Sequence, residues 1–360
     1  MTERALLRRR LVNHQLDRSK FRKPVDVVRW LGAVQAQEYS GAKWALGLRA
    51  KGLTEAAVDR ALDEGTILRT HVLRPTWHFV TPADIRWMLA LTAPRVHAAN
   101  AYTYRQYGLD ASIFRRSRKL LGRALRGGKA CTRAELASVL RREGIAAEGI
   151  KLAALMIDAE LEGVIVSGPR RGKQFTYALL EERAARARGL SREEALAELT
   201  KRYFTSHGPA TLRDFAWWSG LTAGDAKAGI EAVAPALDEE VLDGRTCWFF
   251  GSKVPAARAS RSAHLLPNYD EYLIAYKDRG PVVAASGRDV FAHYFVIDGR
   301  LAGSWKRTLK KDSVVVEAVP YRRLSRENTR ALASAAERYG KFLERLPILN
   351  PGGNDEDNVD

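Results

Sequence analysis

The sequence predicts an α+β fold: tandem winged-helix (helix-turn-helix) repeats followed by a C-terminal β-rich, barrel-like domain. Three observations carry this. A pattern of two amphipathic helical segments and a hairpin recurs along the chain, capping boxes open two of the helices, and strand-like runs concentrate after residue 262. The 360 residues, 46% hydrophobic and 28% charged, are enough for several modest domains with their own cores.

The clearest repeat spans residues 129–185. Thr132 and Glu135 have capping-box spacing, with a hydroxyl at the N-cap and a carboxylate three residues on, and predict a helix over 134–142 that stops before Gly144. Ile150, Ala153, Ala154, Ile157 and Leu161 recur with helical period and predict a second helix over 150–161. Strands at 164–166 and 174–178 then flank a basic hairpin tip, Gly168 to Lys173. A similar order fills 186–258. Ser191 and Glu194 form another capping box, helices are predicted over 209–218 and 222–233, and a hairpin over 241–250 turns on Asp243-Gly244. A weaker copy lies in the N-terminal unit, 1–128, with helices over 24–34 and 54–63 and an extended wing over 67–80. The β-rich domain, 259–350, has expected strands at 282–284, 291–297 and 314–319, a turn at Asp298-Gly299, and a closing helix over 325–346 N-capped by Ser325. The acidic, Gly-containing tail 351–360 is expected to be disordered.

The net charge of +17 is unevenly spread. Residues 1–130 hold 25 Lys and Arg against 10 Asp and Glu, which leaves only +2 for the rest of the chain. Such asymmetry suggests a face for a polyanion, with duplex DNA as the partner, although Arg-rich surfaces also arise from codon bias. Two cysteines far apart, Cys131 and Cys247, suggest neither a disulfide framework nor a zinc site and fit a reducing compartment. With no signal-peptide pattern at the N-terminus and no apolar run of spanning length, a cytoplasmic monomer is expected. Gly-rich phosphate loops and H-E-x-x-H or G-x-S-x-G motifs are missing, and the seven histidines lack ligand spacing, so no metal or cofactor is expected.

Three segments could carry chemistry. Gln35 and Gln37 sit two apart where an apolar helix runs into a Gly-bounded loop. If the chain leaves the helix near Val34, both can face one cavity; otherwise they cap a helix C-terminus. The stretch from Arg69 to Val80 combines Arg69, Arg74, His71, His78 and Trp77 on an extended segment, able to contact phosphate and stack on bases; Trp77 and Phe79 alternate as core residues would. Together with Arg170, Arg171 and Lys173 at the hairpin tip, Arg69, Arg74 and His78 are the candidate DNA contacts. The third segment, Leu265 to Tyr272, holds Asp270 and Glu271. Adjacent carboxylates on a strand point apart and make a poor acid–base pair, so a structural role linking the repeats to the barrel is expected.

On Gln35-Ala36-Gln37, on Arg69 with Arg74 to His78, and on Leu265 to Tyr272, the chain resembles the tandem winged-helix DNA glycosylases of the AlkZ/YcaQ-like family over most of its length. The glutamine pair looks like the AlkZ-type version, since the YcaQ-type ends in aspartate, and Pro75 stands where the commoner form has Gly. The resemblance implies excision of N-alkylated purines, including bases tethered in interstrand crosslinks, with Gln35 and Gln37 as the catalytic pair. A purine alkylated at N7 leaves as a neutral base, so a strong general acid is unnecessary. Two side-chain carbonyls could place a water and stabilise an oxocarbenium-like sugar, Gln37 nearer the water and Gln35 holding it or the sugar. Against this stands a non-catalytic winged-helix DNA-binding protein such as a regulator. The two readings divide over whether the glutamines line a basic DNA-binding surface.

Overall fold

The computed structural model describes residues 1–185, 189–251, 261–283 and 292–351. It divides into two units, each assembled from separate stretches of chain. The first comprises Met1–Val58, Lys201–Phe215 and Val233–Asp360, and the second Asp59–Thr200 and Ala216–Ala232.

The frame of the first unit is a curled five-stranded sheet in the order Leu346–Pro351, Ser313–Pro320, Arg300–Leu309, Tyr294–Ile297, Ala263–Leu266. All neighbours are antiparallel except Ser313–Pro320 and Leu346–Pro351, which run parallel. The helix Arg326–Leu343 makes the crossover that a parallel pair needs. Ser325 caps it as expected, its hydroxyl accepting the Asn328 N–H at 3.2 Å. Leu332, Ala335, Ala336, Tyr339 and Phe342 bury one stripe of this helix. Tyr339 and Phe342 meet Trp44 at ring separations of 4.8 and 5.1 Å, which packs the helix Tyr39–Gly47 beside it. Asp298 and Gly299 both take positive φ, 49° and 86°, as a two-residue hairpin turn requires. Asp243 and Gly244 do the same at 47° and 73° between Asp238–Leu242 and Arg245–Phe249. Val282 and Val283, expected in a strand, lie in a turn, and Ala284 falls outside the described residues.

The N-terminal helix Glu3–Asn13 has no amphipathic signature in the sequence because its cations are inside. Arg9 lies 4.1 Å from the Phe249 ring and Arg10 3.6 Å from the Tyr276 ring, both cations buried. With Lys43, Arg49 and Arg69 also buried, part of the basic excess of residues 1–130 is interior and presents no charge to a partner.

In the second unit, Leu68–Val72 and Arg74–Val80 pair as a hairpin with Thr70 opposite His78. Long helices at Ile85–Gln106 and Ala111–Leu125 follow. The expected capping box at Thr132 is present, the hydroxyl accepting the Glu135 N–H at 3.3 Å and the carboxylate accepting the Thr132 N–H at 2.7 Å. It opens Arg133–Arg142; Gly149–Leu161 comes next, then Ile165–Ser167 and Thr176–Leu179, with Cys131–Thr132 pairing onto the latter. Leu121, Leu125, Leu136, Leu140, Leu155 and Ile165 form its core, each worth about 1.5–3 kcal/mol when fully buried. The second capping box also forms, Ser191 and Glu194 exchanging bonds of 2.9 and 3.2 Å at the head of Arg192–Ser206. Boundaries drawn from the sequence at 186 and 258 fall outside the described residues, as does the expected tail beyond Pro351.

Candidate active site

The helix Pro24–Leu31 ends at Gly32, whose φ of 80° only glycine adopts without strain, and the chain is extended by Val34–Gln35. The two glutamines are therefore not in a helix. Gln35 is 8% exposed and Ala36 fully buried, whereas Gln37 is exposed. The side-chain Oε1 of Gln35 is buried and has no hydrogen-bond partner among the described residues. A buried acceptor left unpaired carries a desolvation cost of about 1–3 kcal/mol, an unusual thing to leave in a folded protein.

Glu38, the next carboxylate, is occupied elsewhere. It N-caps Tyr39–Gly47, accepting the N–H groups of Ser40 (3.2 Å) and Gly41 (2.6 Å) and the Ser40 hydroxyl (2.6 Å). Position 41 must be glycine for this cap, because a Cβ there would lie 2.2 Å from the Glu38 carboxylate. The cap fixes the chain direction directly after Gln37.

The Leu265 to Tyr272 segment is fastened along its length. Trp44 Nε1–H donates to the Leu265 carbonyl at 2.7 Å and Trp305 Nε1–H to that of Leu266 at 2.8 Å. Asp270 N-caps the short helix Glu271–Ile274 and accepts two bonds, 2.7 and 2.8 Å, from the guanidinium of Arg49, both side chains being wholly buried. Glu271 turns the other way: its Oε1 accepts the Gln35 N–H at 2.8 Å, and its Oε2 lies 3.6 Å from His207 Nε2. The two carboxylates diverge as expected, but at the start of a helix rather than along a strand. Behind them His14 bonds to the Tyr276 hydroxyl at 2.7 Å, and that hydroxyl donates to the His207 carbonyl at 2.7 Å. Burial pushes both imidazoles below their ordinary range, and in His207 the adjacent Glu271 opposes that shift. Sequence reasoning missed the histidines of this cluster because they stand 193 positions apart and share no spacing rule.

The expected DNA contacts lie in the second unit and differ in character. Arg69 is buried, 4.2 Å from the Trp77 ring and 4.9 Å from that of Phe175. His78 is wholly buried, its Nδ1–H donating to the Thr76 carbonyl at 2.9 Å. Arg74 is half-buried, 5.9 Å from the Trp217 ring. At the hairpin tip Arg170 pairs with Asp59 at 3.1 Å and Arg171 with Glu135 at 2.8 Å, the latter holding the Glu135 carboxyl down at about 2. Lys173 is exposed, and its ammonium makes no ion pair among the described residues.

Among the described residues no helix is long and apolar enough to cross a membrane, and no group of three or more metal-ligating side chains occurs. The chain is 25% identical over 311 residues, 78% of its own length and 81% of the relative's, to an interstrand DNA cross-link repair glycosylase of Streptomyces sahachiroi. The solved structure of the Streptomyces sahachiroi DNA glycosylase AlkZ superposes with a TM-score of 0.80 at 22% identity, covering 97% of this chain and 99% of that one. The sequence profile of the DNA glycosylase AlkZ-like family matches residues 28–342. The chain thus belongs to the AlkZ-like DNA glycosylases, enzymes that hydrolyse the N-glycosyl bonds of DNA.

Proposed function

We propose that the protein excises cationic N-alkylated purines from duplex DNA, including purines tethered in interstrand crosslinks, with Gln35 and Gln37 as the catalytic pair. The observation that carries this reading is the buried Oε1 of Gln35, without a hydrogen-bond partner among the described residues, two residues from an exposed Gln37. A purine quaternised at N7 departs as a neutral base. The enzyme therefore needs no general acid, only a placed water and negative dipoles facing the oxocarbenium-like sugar. Amide oxygens supply both. Gln37 stands nearer the water, and the fixed Oε1 of Gln35 holds that water or faces the sugar. Because amides are poor bases, unactivated purines are poor substrates, and selectivity lies in the leaving group. The interstrand crosslink in the Streptomyces sahachiroi relative's name is consistent with this chemistry.

DNA is held by winged-helix repeats in this reading. Its best support is the order of elements between Cys131 and Leu179, where two helices are followed by a hairpin onto which the short leading strand pairs. Lys173 at the hairpin tip is the foremost phosphate contact, with Arg170, Arg171 and Arg74 around it, while Arg69 and His78 act by supporting their hairpin. The test is single-turnover release of N7-methylguanine from duplex DNA. Gln35→Ala and Gln37→Ala each lower the rate by about two to three orders of magnitude, with DNA affinity retained. Equal rates in all three proteins would remove the glutamines from the mechanism. Release from neither methylated nor crosslinked duplex would favour a non-catalytic DNA-binding protein.

A further inference from the structure

We propose that Glu271 is the positioning residue of this site, acting through the backbone of Gln35; the proposal rests on the catalytic reading of Gln35. Three observations carry it. Glu271 is wholly buried, and its Oε1 accepts a backbone N–H from 236 residues away, that of Gln35 at 2.8 Å. Gln35 is the residue whose own side-chain oxygen is buried without a partner among the described residues. The helix that carries Glu271 is itself anchored from three sides. Asp270 at its N-cap is clamped by Arg49, the Tyr203 hydroxyl donates to the Ala275 carbonyl at 2.9 Å, and the Tyr276 hydroxyl to the His207 carbonyl.

A two-residue strand has little ladder of its own to fix its place. An acceptor on the N–H of residue 35 fixes that peptide and hence the origin of the Gln35 side chain. The acceptor must be rigid in turn, and the surroundings of Glu271 supply this. Its second oxygen faces His207, whose ring stacks on Tyr203 at 4.9 Å and 11° and whose Nδ1 lies 2.8 Å from the Ser206 hydroxyl. Burying a carboxylate is costly, and aliphatic packing would hold a strand more cheaply. A buried carboxylate bonded to the Gln35 amide suits a site where placement matters more than stability. Misplacing a reacting group by about 1 Å lowers a rate by about 10²-fold.

The role requires an acceptor, not a charge, and this sets the experiment. Single-turnover N7-methylguanine release and duplex affinity are measured for wild type, Glu271→Gln, Glu271→Ala, Gln35→Ala and the Gln35→Ala/Glu271→Ala double variant. Exchange of the Gln35 amide hydrogen is followed alongside. Glu271→Gln, which keeps a carbonyl acceptor, stays within about threefold of wild type with the Gln35 amide protected. Glu271→Ala loses about 10²-fold in rate with unchanged DNA affinity and an unprotected amide, and the double variant is no slower than Gln35→Ala. Should Glu271→Ala fail to fold, Glu271→Gln decides alone: a folded variant that has lost the rate overturns the proposal. A slow Gln35→Ala beside a wild-type Glu271→Ala, or single losses that multiply in the double variant, also overturns it while leaving the glutamine reading intact. A wild-type rate for Gln35→Ala removes both.

Discussion

Replacing Arg49 by Met breaks the buried ion pair that holds the Asp270 segment in place. Both partners are wholly buried, and the guanidinium gives Asp270 two bonds of 2.7 and 2.8 Å. Without it the carboxylate keeps one donor among the described residues beyond its own backbone, the Tyr272 N–H at 2.9 Å. An uncompensated buried charge of this kind costs about 3–5 kcal/mol, a large part of the roughly 5–15 kcal/mol that stabilises a typical domain. In hydrogen-exchange mass spectrometry the peptides spanning 263–276 should therefore open between about a hundred and several thousand times more readily than in wild type. Arg49→Met/Asp270→Leu, which removes both charges, should be more stable than Arg49→Met alone. The reasoning fails if Arg49→Met loses less than about 1 kcal/mol, the range of a solvated pair, or if the double variant is the less stable of the two.

Burial lifts the Asp158 carboxyl to about 7, with Glu162 adding to the rise and Arg118 opposing it. The folded state thus keeps a proton that the unfolded chain releases near pH 4, and stability falls as pH rises between those values. Asp158→Asn should raise the melting temperature more at pH 8 than at pH 5; an equal gain at both would contradict the shift. In duplex binding, Lys173→Ala should flatten the salt dependence by about one released counterion, and Arg171→Ala by less, since Glu135 already neutralises that guanidinium; the reverse order would take Lys173 off the DNA. Thr132→Ala removes the hydroxyl of a capping box and should destabilise the second unit by about 1 kcal/mol in denaturant melts, a deficit that Thr132→Ser largely restores.

The sequence by itself determined what depends on near neighbours. Capping boxes at Thr132 and Ser191, the N-cap at Ser325 and the turns at Asp243-Gly244 and Asp298-Gly299 are short-range chemistry, and each forms. The end of the helix before Gln35 was not legible in this way: the apolar pattern runs over 24–34, whereas the helix stops at Leu31, where Gly32 takes a positive φ. Other elements were not legible. The parallel strand Leu346–Pro351 is defined only by a partner more than thirty positions away across a helix, so no local period announces it. Glu3–Asn13 shows no apolar period because Arg9 and Arg10 are polar in any sequence scale, and only tertiary packing brings them the partners that make burial tolerable: the Phe249 ring and the Glu240 carboxylate for Arg9, the Tyr276 ring and the Pro209 carbonyl for Arg10. The candidate site divides along the same line. Two glutamines two residues apart can be seen in the chain, but the state of Gln35 is a long-range property: its side-chain oxygen is buried without a partner among the described residues, and its backbone amide is held by a carboxylate 236 residues away. Hydrogen bonds and desolvation act over a few ångströms in space and take no account of separation along the chain, so only the tertiary structure could decide what faces Gln35.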